Sequence, residues 1–339
     1  MHFTGVPKEH FAELSPASLL LGGILREAHG DSHHWFIVID SVSEEAEVIE
    51  SMFDLAADFH FGLFAPESAL RIPQDESEQL IEELSSSLNN GNLAAFINSV
   101  SKLPAPAVLA AQAQAAFLDQ TGLPSLDPFE MENPGDAIMK ISRDIEYRLY
   151  KQAELRYRAA EVVRIITERK SDIVTSVVRG FSELDSTFLS ASQHRKSRAG
   201  RSFEQHIGRL LSDGKVPFEE QTVTGGRRPD FVLPGLMALT STTRSFNDAL
   251  ILSAKTTLRE RWKQVALEKF NCAVFLATVD DRVSADAIAD MQNQAICLVV
   301  PESLKKAKET CYKDKENVIT FRSFFDEQIR NTRPHLLFL

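Results

Sequence analysis

The sequence predicts an α/β fold, with a mixed sheet flanked by helices and preceded by a smaller N-terminal α/β domain. Two observations lead to this prediction. The first is a change of character at Pro134, where an acidic part of the chain gives way to basic, strongly periodic segments. The second is a series of short apolar runs of strand length, separated by helical or loop segments, at 218–223, 230–233, 249–253, 273–279 and 296–300.

The N-terminal domain is predicted from short elements in an acidic background. Residues 34–40 have the pattern of a strand, and residues 44–58 have helical spacing. An acidic helix, three serines and the breaker Asn89-Asn90-Gly91 suit a boundary region at 74–92. The Ala-rich segment 104–116 fits either a linker or a surface helix. We predict an N-terminal domain over 1–100, of open role, and a larger second domain over 101–339.

Several helices with basic segments are predicted in the first half of the second domain. From residue 134 to residue 166 apolar residues recur every 3.6 positions among many arginines and lysines, which indicates one long helix with a basic face. A second helix over 173–191 leads into a cationic cluster at 195–201. Ser202 is then expected to cap a new helix that buries Phe203 and Ile207. The cluster suggests that Arg195, Lys196 and Arg198 contact DNA.

The charge is divided unevenly along the chain. The formal net charge is −11, which by itself disfavours binding to a polyanion. Residues 1–136, however, carry 22 acidic and 4 basic side chains, which leaves 33 basic and 26 acidic ones in the remainder. The second part, with a net charge of +7, is therefore the candidate for DNA contact.

Secretion, membrane insertion and a zinc site are not expected. The N-terminal segment lacks the pattern of a signal peptide, and the apolar runs are too short to span a bilayer. The cysteines Cys272, Cys297 and Cys311 are odd in number and lack CxxC spacing. We expect reduced, buried thiols in a cytoplasmic protein.

Two predicted strands carry groups suited to phosphodiester cleavage. Such cleavage needs a divalent metal held by carboxylates and a positive group beside the scissile phosphate. Asp230 opens the apolar run 230–233 after Pro229, and Lys255 ends the run that begins near residue 250. Adjacent strands would bring both to one sheet edge, in the Pro-Asp…x-x-Lys layout of metal-dependent nucleases. Each motif taken alone has a simpler interpretation. A Pro-Asp dipeptide often only starts a strand, and a lysine at a strand end often only discourages aggregation.

The second metal ligand must come from another acid, because Ser253 occupies the usual acidic position two residues before the lysine. Glu268 is the main candidate, since it shares a helix face with Arg261 at a spacing of seven. A solvated surface charge is the alternative. Glu204 is a further candidate for a ligand or for a base that orients water.

The triplet Arg259-Glu260-Arg261 fits the reading of base pairs. Arginine binds the O6 and N7 atoms of guanine, and glutamate accepts from the N4 amine of cytosine. The alternative is a salt-bridge pattern on a helix, but consecutive helical residues do not face one another. We therefore favour base readout.

Four segments resemble the EcoRII catalytic domain and its CCGG- and CCNGG-cutting relatives, a branch of the PD-(D/E)XK restriction endonucleases. They are Ser-Arg-Ala-Gly-Arg-Ser-Phe-Glu (197–204), Arg-Pro-Asp-Phe (228–231), the segment from Ala254 to Val265, and Gln-Ala-Ile-Cys-Leu-Val-Val-Pro (294–301). The likeness covers roughly 137–330. It implies the restriction-endonuclease fold, with Asp230, Lys255 and Glu268 as the catalytic set.

The resemblance also implies Mg²⁺, double-stranded DNA with a CCNGG, CCWGG or CCGG site, a homodimer and a protecting DNA methyltransferase. Relatives that skip a central base pair flip its bases into a pocket of an arginine and an aromatic four residues later. Arg143 and Tyr147 have this spacing, although Arg148, Tyr150, Lys151 and Tyr157 lie nearby. Arg228 is a further expected DNA contact. The alternatives are a non-cleaving DNA-binding regulator and a structure-specific repair nuclease of the same fold.

Overall fold

A computed structural model describes residues 14–15, 18–26, 32–41, 43, 45–46, 49, 55, 62, 74–168, 172–221, 229–258, 262–265 and 271–337. Side chains are described at these positions except at 25–26, 32–33, 74–76, 191–197, 199 and 264–265. The chain divides into two compact units. The sheet unit comprises 1–62, 127–136 and 211–339, and the helical unit comprises 63–126 and 137–210. The predicted boundary at residue 100 stays a prediction.

The N-terminal part contains an antiparallel hairpin. Strand β1 (Leu19–Arg26) pairs with β2 (Ser32–Ile39) over eight residue pairs, from Leu19 opposite Ile39 to Arg26 opposite Ser32. Strand β2 agrees with the predicted strand at 34–40, whereas β1 was not predicted. The expected helix over 44–58 falls mostly outside the described residues.

The helical unit is built from the Ala-rich, acidic and basic segments. Its first helices are α1 (Gln74–Asn89), α2 (Leu93–Val100) and α3 (Pro106–Thr121). The segment 104–116 is thus mainly helical, with a proline in the first turn and Gly122 at the C-cap at φ 69°. Leu109, Ala110 and Ala113 form its buried face.

The predicted long helix contains a wider turn. It runs through α4 (Pro134–Lys140), a π-helical stretch (Ile141–Glu146) and α5 (Tyr147–Thr167). A π-turn inserts one residue into the helical repeat, and such insertions often occur at functional sites. The helix therefore exists as predicted, but its faces shift at the segment that carries Arg143.

The expected break at Ser202 was wrong. After α6 (Ile173–Arg179), a single helix α7 (Phe181–Asp213) runs for 33 residues through the cationic cluster and beyond. Ser202 is fully buried inside it. The cluster consists largely of arginine, lysine and alanine, which are good helix formers, so the helix continues and the serine does not act as a cap.

The sheet unit contains the six-stranded sheet. Its order is β3 (Glu219–Glu220), β4 (Phe231–Leu233), β5 (Leu250–Ala254), β6 (Ala273–Ala277), β7 (Ile296–Val300) and β8 (Val318–Thr320). The first three strands pair antiparallel, and β5 to β8 pair parallel. This is the predicted mixed sheet, with β8 added.

Helices and loops connect the strands of the sheet unit. The connecting helices are α8 (Leu236–Thr240), α9 (Trp262–Val265), α10 (Ala285–Asn293) and α11 (Glu302–Lys306). After β8 come α12 (Phe321–Ser323) and a π-helical stretch (Phe324–Asn331). The core cluster includes Val232, Ile251, Leu276, Leu298 and Tyr312. Buried on both faces, the parallel strands read as continuous apolar runs.

None of the described helices has both the length and the apolar character that a membrane span requires. The three cysteines are free: Cys272 is buried, and Cys297 and Cys311 are half-buried. Cys272 thus has the expected burial, whereas Cys297 and Cys311 are more accessible than expected.

Candidate active site

Asp230 and Lys255 meet at one edge of the sheet. Asp230 immediately precedes β4 and Lys255 immediately follows β5, and these strands pair antiparallel with Phe231 opposite Leu252. The C-terminal end of β5 therefore lies beside the N-terminal end of β4. The Lys255 Nζ atom donates to Asp230 Oδ2 at 2.7 Å.

Backbone hydrogen bonds hold this pair in place. Asp230 Oδ2 also accepts from the Ala254 amide at 2.8 Å, and the Asp230 carbonyl accepts from the Gln221 amide at 2.9 Å. The Lys255 amide donates to the Ala277 carbonyl at 3.0 Å, which extends the β5–β6 ladder. The side chains of Asp230 and Lys255 remain 12% and 24% exposed, so a substrate can reach both.

The carboxylate of Asp230 suits a hard divalent cation. Mg²⁺ prefers oxygen ligands, and protein sites commonly supply one or two carboxylates. Hydrogen bonds from Ala254 and Lys255 orient this carboxylate through one of its oxygens. Within the described part of the chain, no group of three or more His, Cys, Asp or Glu side chains clusters as a metal site. Asp230 thus fits as one ligand.

Several predicted site residues lie outside the described residues: Arg228, Arg259, Glu260, Arg261 and Glu268. Ser253, which replaces the usual acid, is 1% exposed within β5. The buried position of Ser253 suits a small neutral side chain, because an unpaired carboxylate there would be costly to desolvate. The backbone of Arg195 and Lys196 is helical within α7, and their side chains are not described.

Arg198 does not present its charge to solvent. It is 8% exposed, and its guanidinium forms an ion pair with the fully buried Glu146. The Arg198 guanidinium carbon also lies 4.4 Å from the centre of the Tyr150 ring. These contacts give Arg198 a structural role in the helical unit. Little of its guanidinium remains exposed for the expected contact with DNA.

Glu146 has a second buried partner, His206, which the sequence patterns did not single out. His206 Nε2 lies 2.9 Å from Glu146 Oε2, and His206 Nδ1 lies 3.0 Å from Gln114 Nε2. Arg198 and His206 lie on α7, while Glu146 ends the π-helical stretch. The network thus joins the helix of the cationic cluster to the helix of Arg143.

The proposed flipping pair is half-buried on the long helix. Arg143 lies in the π-helical stretch, and Tyr147 begins α5. Lys151 Nζ lies 5.3 Å from the Tyr147 ring centre, so this ring already has one cationic neighbour. Tyr150 is 2% exposed and donates to Glu154 Oε1 at 3.0 Å, which makes it a core residue. The assignment to Arg143 and Tyr147 stays a prediction.

Glu204 is half-buried on α7 in the helical unit, whereas Asp230 belongs to the sheet unit. Its role as a further ligand or base also stays a prediction.

Asp280 is a further residue that the sequence patterns did not single out. It follows β6, is 7% exposed, and accepts the Leu258 amide at 2.7 Å and the Arg282 amide at 3.0 Å. The signal was present in the sequence, since an acidic pair, Asp280-Asp281, directly follows a strongly apolar run. An acid after a parallel strand lies at the edge where such sheets place functional groups.

Comparison with known proteins finds similarity to type II restriction enzymes. Residues 158–325 match the family model described as EcoRII C terminal. The type II restriction enzyme SsoII of Shigella sonnei is 32% identical over 157 residues, which are 43% of this chain and 50% of SsoII. The type II restriction enzyme EcoRII of Escherichia coli is 34% identical over 140 residues, 40% of this chain and 35% of EcoRII. The match thus spans half or less of these relatives.

Solved structures extend the likeness to more of the fold. Metal-depleted Ecl18kI, in complex with uncleaved DNA, aligns with a TM-score of 0.59 and 25% identity over 72% of this chain and 85% of that chain. The PspGI restriction endonuclease in complex with substrate DNA aligns with a TM-score of 0.51 and 19% identity, over 69% of this chain and 93% of that chain, and supports the fold alone. Residues 158–325 of this chain therefore resemble the EcoRII C-terminal domain, and the chain has the restriction-endonuclease fold.

Proposed function

We propose that this protein is a type II restriction endonuclease that hydrolyses double-stranded DNA at a short palindromic site with a CC…GG core. The observation that carries the proposal is the contact between Asp230 and Lys255 at the edge of the sheet. The match of residues 158–325 to the EcoRII C-terminal family supports it. Because such an enzyme cuts unprotected DNA inside the cell, a cytoplasmic location and a partner methyltransferase that protects host sites belong to the same proposal.

Asp230 and Glu268 would hold Mg²⁺, which supplies charge stabilisation at the phosphate and lowers the pKa of a bound water. Lys255 places a positive charge beside the carboxylate, where a scissile phosphate gains electrostatic stabilisation. Ala254 fixes the carboxylate through its amide, so the site is oriented before DNA binds. Glu204 is proposed to orient water.

Base reading is assigned to Arg259, Glu260 and Arg261, which follow Lys255 by four to six residues. This short separation would couple recognition of the C and G pairs to the position of the lysine. Each arginine that binds a guanine with two hydrogen bonds contributes about 1–3 kcal/mol of discrimination. Lysine at either position keeps the charge but loses the planar fork.

Contacts to the DNA backbone are assigned to Arg195, Lys196 and Arg228. If the site skips a central base pair, Arg143 and Tyr147 would receive the flipped base. Fluorescence of 2-aminopurine placed at the central position tests this, since an unstacked base brightens. A signal unchanged from free duplex would remove base flipping from the proposal.

A homodimer follows from the symmetry of the site. Each half-site and each strand requires a reading triplet and a cleavage centre, and one chain holds a single set of each. Sedimentation of the protein with a cognate duplex is expected to give two chains for each duplex.

The decisive experiment is digestion of a DNA of known sequence with Mg²⁺, followed by sequencing of the ends. Cuts at sites that share CC…GG, abolished by EDTA, are the expected result. Site-specific binding without cuts would indicate a non-cleaving regulator. Cuts that follow DNA structure rather than sequence would indicate a repair nuclease.

A further inference from the structure

Hydrogen bonds at both ends attach the segment between Lys255 and the reading triplet to the end of β6 and the residues just after it. At its start, the Lys255 amide donates to the Ala277 carbonyl at 3.0 Å. At its end, the amide of Leu258, which is 1% exposed, donates to Asp280 Oδ2 at 2.7 Å. The next residue is Arg259. Asp280 therefore holds the backbone of the residue that directly precedes the triplet.

Asp280 is itself held at several points. Its second carboxylate oxygen accepts from the Arg282 amide at 3.0 Å, and its own amide donates to Thr278 Oγ1 at 3.0 Å. Its carbonyl accepts from the hydroxyl of the fully buried Tyr312. Rotation of the carboxylate would break two bonds to backbone amides, so Asp280 provides a rigid anchor.

Burial of the Asp280 carboxylate carries a large desolvation free energy. At 7% exposure Asp280 loses most of its hydration, and only hydrogen bonds to charged oxygens offset this. A hydrogen bond to a charged group contributes about 1.5–3 kcal/mol, more than a neutral one. The carboxylate therefore holds the Leu258 amide more firmly than an asparagine or a serine would.

We propose that Asp280 is a positioning residue for sequence recognition: it sets the start of the 259–261 triplet relative to Lys255. The inference rests on the proposed function. In this role Asp280 acts through the backbone of Leu258 and does not itself read a base. Loss of the Asp280 carboxylate should reduce discrimination between sites more than it reduces the stability of the fold.

The test compares Asp280→Asn with Asp290→Asn in the full-length chain. Asp290 is exposed on α10, so its variant makes the same carboxylate-to-amide change away from the loop. Binding is measured in EDTA with a duplex that carries the site that wild type cuts and with a duplex changed at one C·G pair. Discrimination is the Kd for the changed duplex divided by the Kd for the duplex with the intact site. For Asp280→Asn this ratio should fall by on the order of tenfold, the equivalent of one charged hydrogen bond. Asp290→Asn should keep the wild-type ratio.

Tyr312→Phe provides a second variant if Asp280→Asn does not fold. It removes only the hydroxyl that anchors the Asp280 carbonyl, and it should lower the same ratio by a smaller factor while the melting temperature falls by no more than several degrees. If the ratio keeps its wild-type value in the folded variant or variants, Asp280 is merely structural and the inference is overturned. If wild type itself does not distinguish the two duplexes, the proposed function fails instead.

Discussion

At the scale of single residues, the candidate site depends on one carboxylate and one ammonium whose positions the backbone determines. Asp230 Oδ2 accepts from both Lys255 Nζ and the Ala254 amide. Two donors on one oxygen leave the carboxylate little freedom to rotate. The site therefore places charge at the sheet edge with small reorganisation, which is what electrostatic catalysis requires.

Asp230→Asn is expected to abolish Mg²⁺-dependent cleavage, by at least about a hundredfold, because an amide is a poor ligand for a hard cation. Specific binding in EDTA should remain, since the base contacts lie elsewhere. Gel-shift and cleavage assays on one duplex measure both. Asp290→Asn is the matched control, and full-rate cleavage by Asp230→Asn would refute the assignment.

Glu302 leads to a pH prediction. It is 4% exposed, and its two carboxylate oxygens accept from the amides of Arg322 and Asp136. Burial is the largest influence on the Glu302 carboxyl and raises its pKa above 4.5, although the backbone hydrogen bonds lower it. A raised native pKa means that the folded state binds this proton more tightly than the unfolded chain.

The stabilisation from that proton is present below pH 4.5 and is lost as pH rises through the native pKa. Glu302→Gln stays neutral throughout. The free energy of unfolding of wild type, relative to Glu302→Gln, should therefore decrease between about pH 4 and about pH 8. Denaturant titrations at both pH values measure it, and a pH-independent difference would contradict the prediction.

At the scale of elements, a buried ion pair joins two helical segments. Glu146 ends the π-helical stretch, and Arg198 lies 52 residues later on α7. Both are buried, and His206 approaches the other oxygen of Glu146. Removal of one partner from such a pair leaves a buried charge without compensation, which costs more than the pair contributes.

Arg198→Met is expected to lower the free energy of unfolding by about 3–5 kcal/mol. Arg201→Met, three residues along the same cluster but exposed, should change stability by less than about 0.5 kcal/mol. Arg201→Met should instead weaken non-specific DNA binding. Urea titrations measure the effect on stability, and DNA binding across a salt series measures the effect on phosphate contacts. If Arg198→Met is as stable as wild type and binds DNA less well, Arg198 is a DNA contact after all.

At the scale of the whole molecule, the acidic part of the chain contributes to both compact units. Its hairpin belongs to the sheet unit, and its helices belong to the helical unit. Helices α1 and α2 are part of the helical unit, where Arg156 on α5 forms an ion pair with Glu83 and lies 5.8 Å from the Phe96 ring centre. Truncation at residue 100 would remove these contacts from a packed unit. Truncation before Gln74 leaves them intact.

Deletion of residues 1–73 removes 12 acidic and 3 basic side chains. If these acids lie near the DNA, the shortened protein should bind duplexes more tightly at low salt, and the gain should disappear as salt screens charges over about 10 Å at 0.1 M. Fluorescence anisotropy across a salt series measures this. A folded truncated protein that loses sequence preference would show that this part helps to read DNA.

Local patterns in the sequence predicted much of this protein. The apolar runs identified β4 to β7, helical periodicity identified the helix through α4 and α5, and the Pro-Asp and Lys motifs identified Asp230 and Lys255. Each of these signals comes from residues within a few positions of one another. Strand pairing then followed from the rule that adjacent elements in sequence tend to be neighbours in space.

Only the tertiary structure decided what happens to individual charges. Arg198 belongs to a cationic cluster in the sequence, yet Glu146 pairs with it in the interior. Asp280 looks like a loop acid, yet it binds the amide of Leu258, 22 residues earlier. The physical reason is that burial and pairing of a charge depend on partners brought together by packing, and no local pattern in the chain specifies which partner arrives.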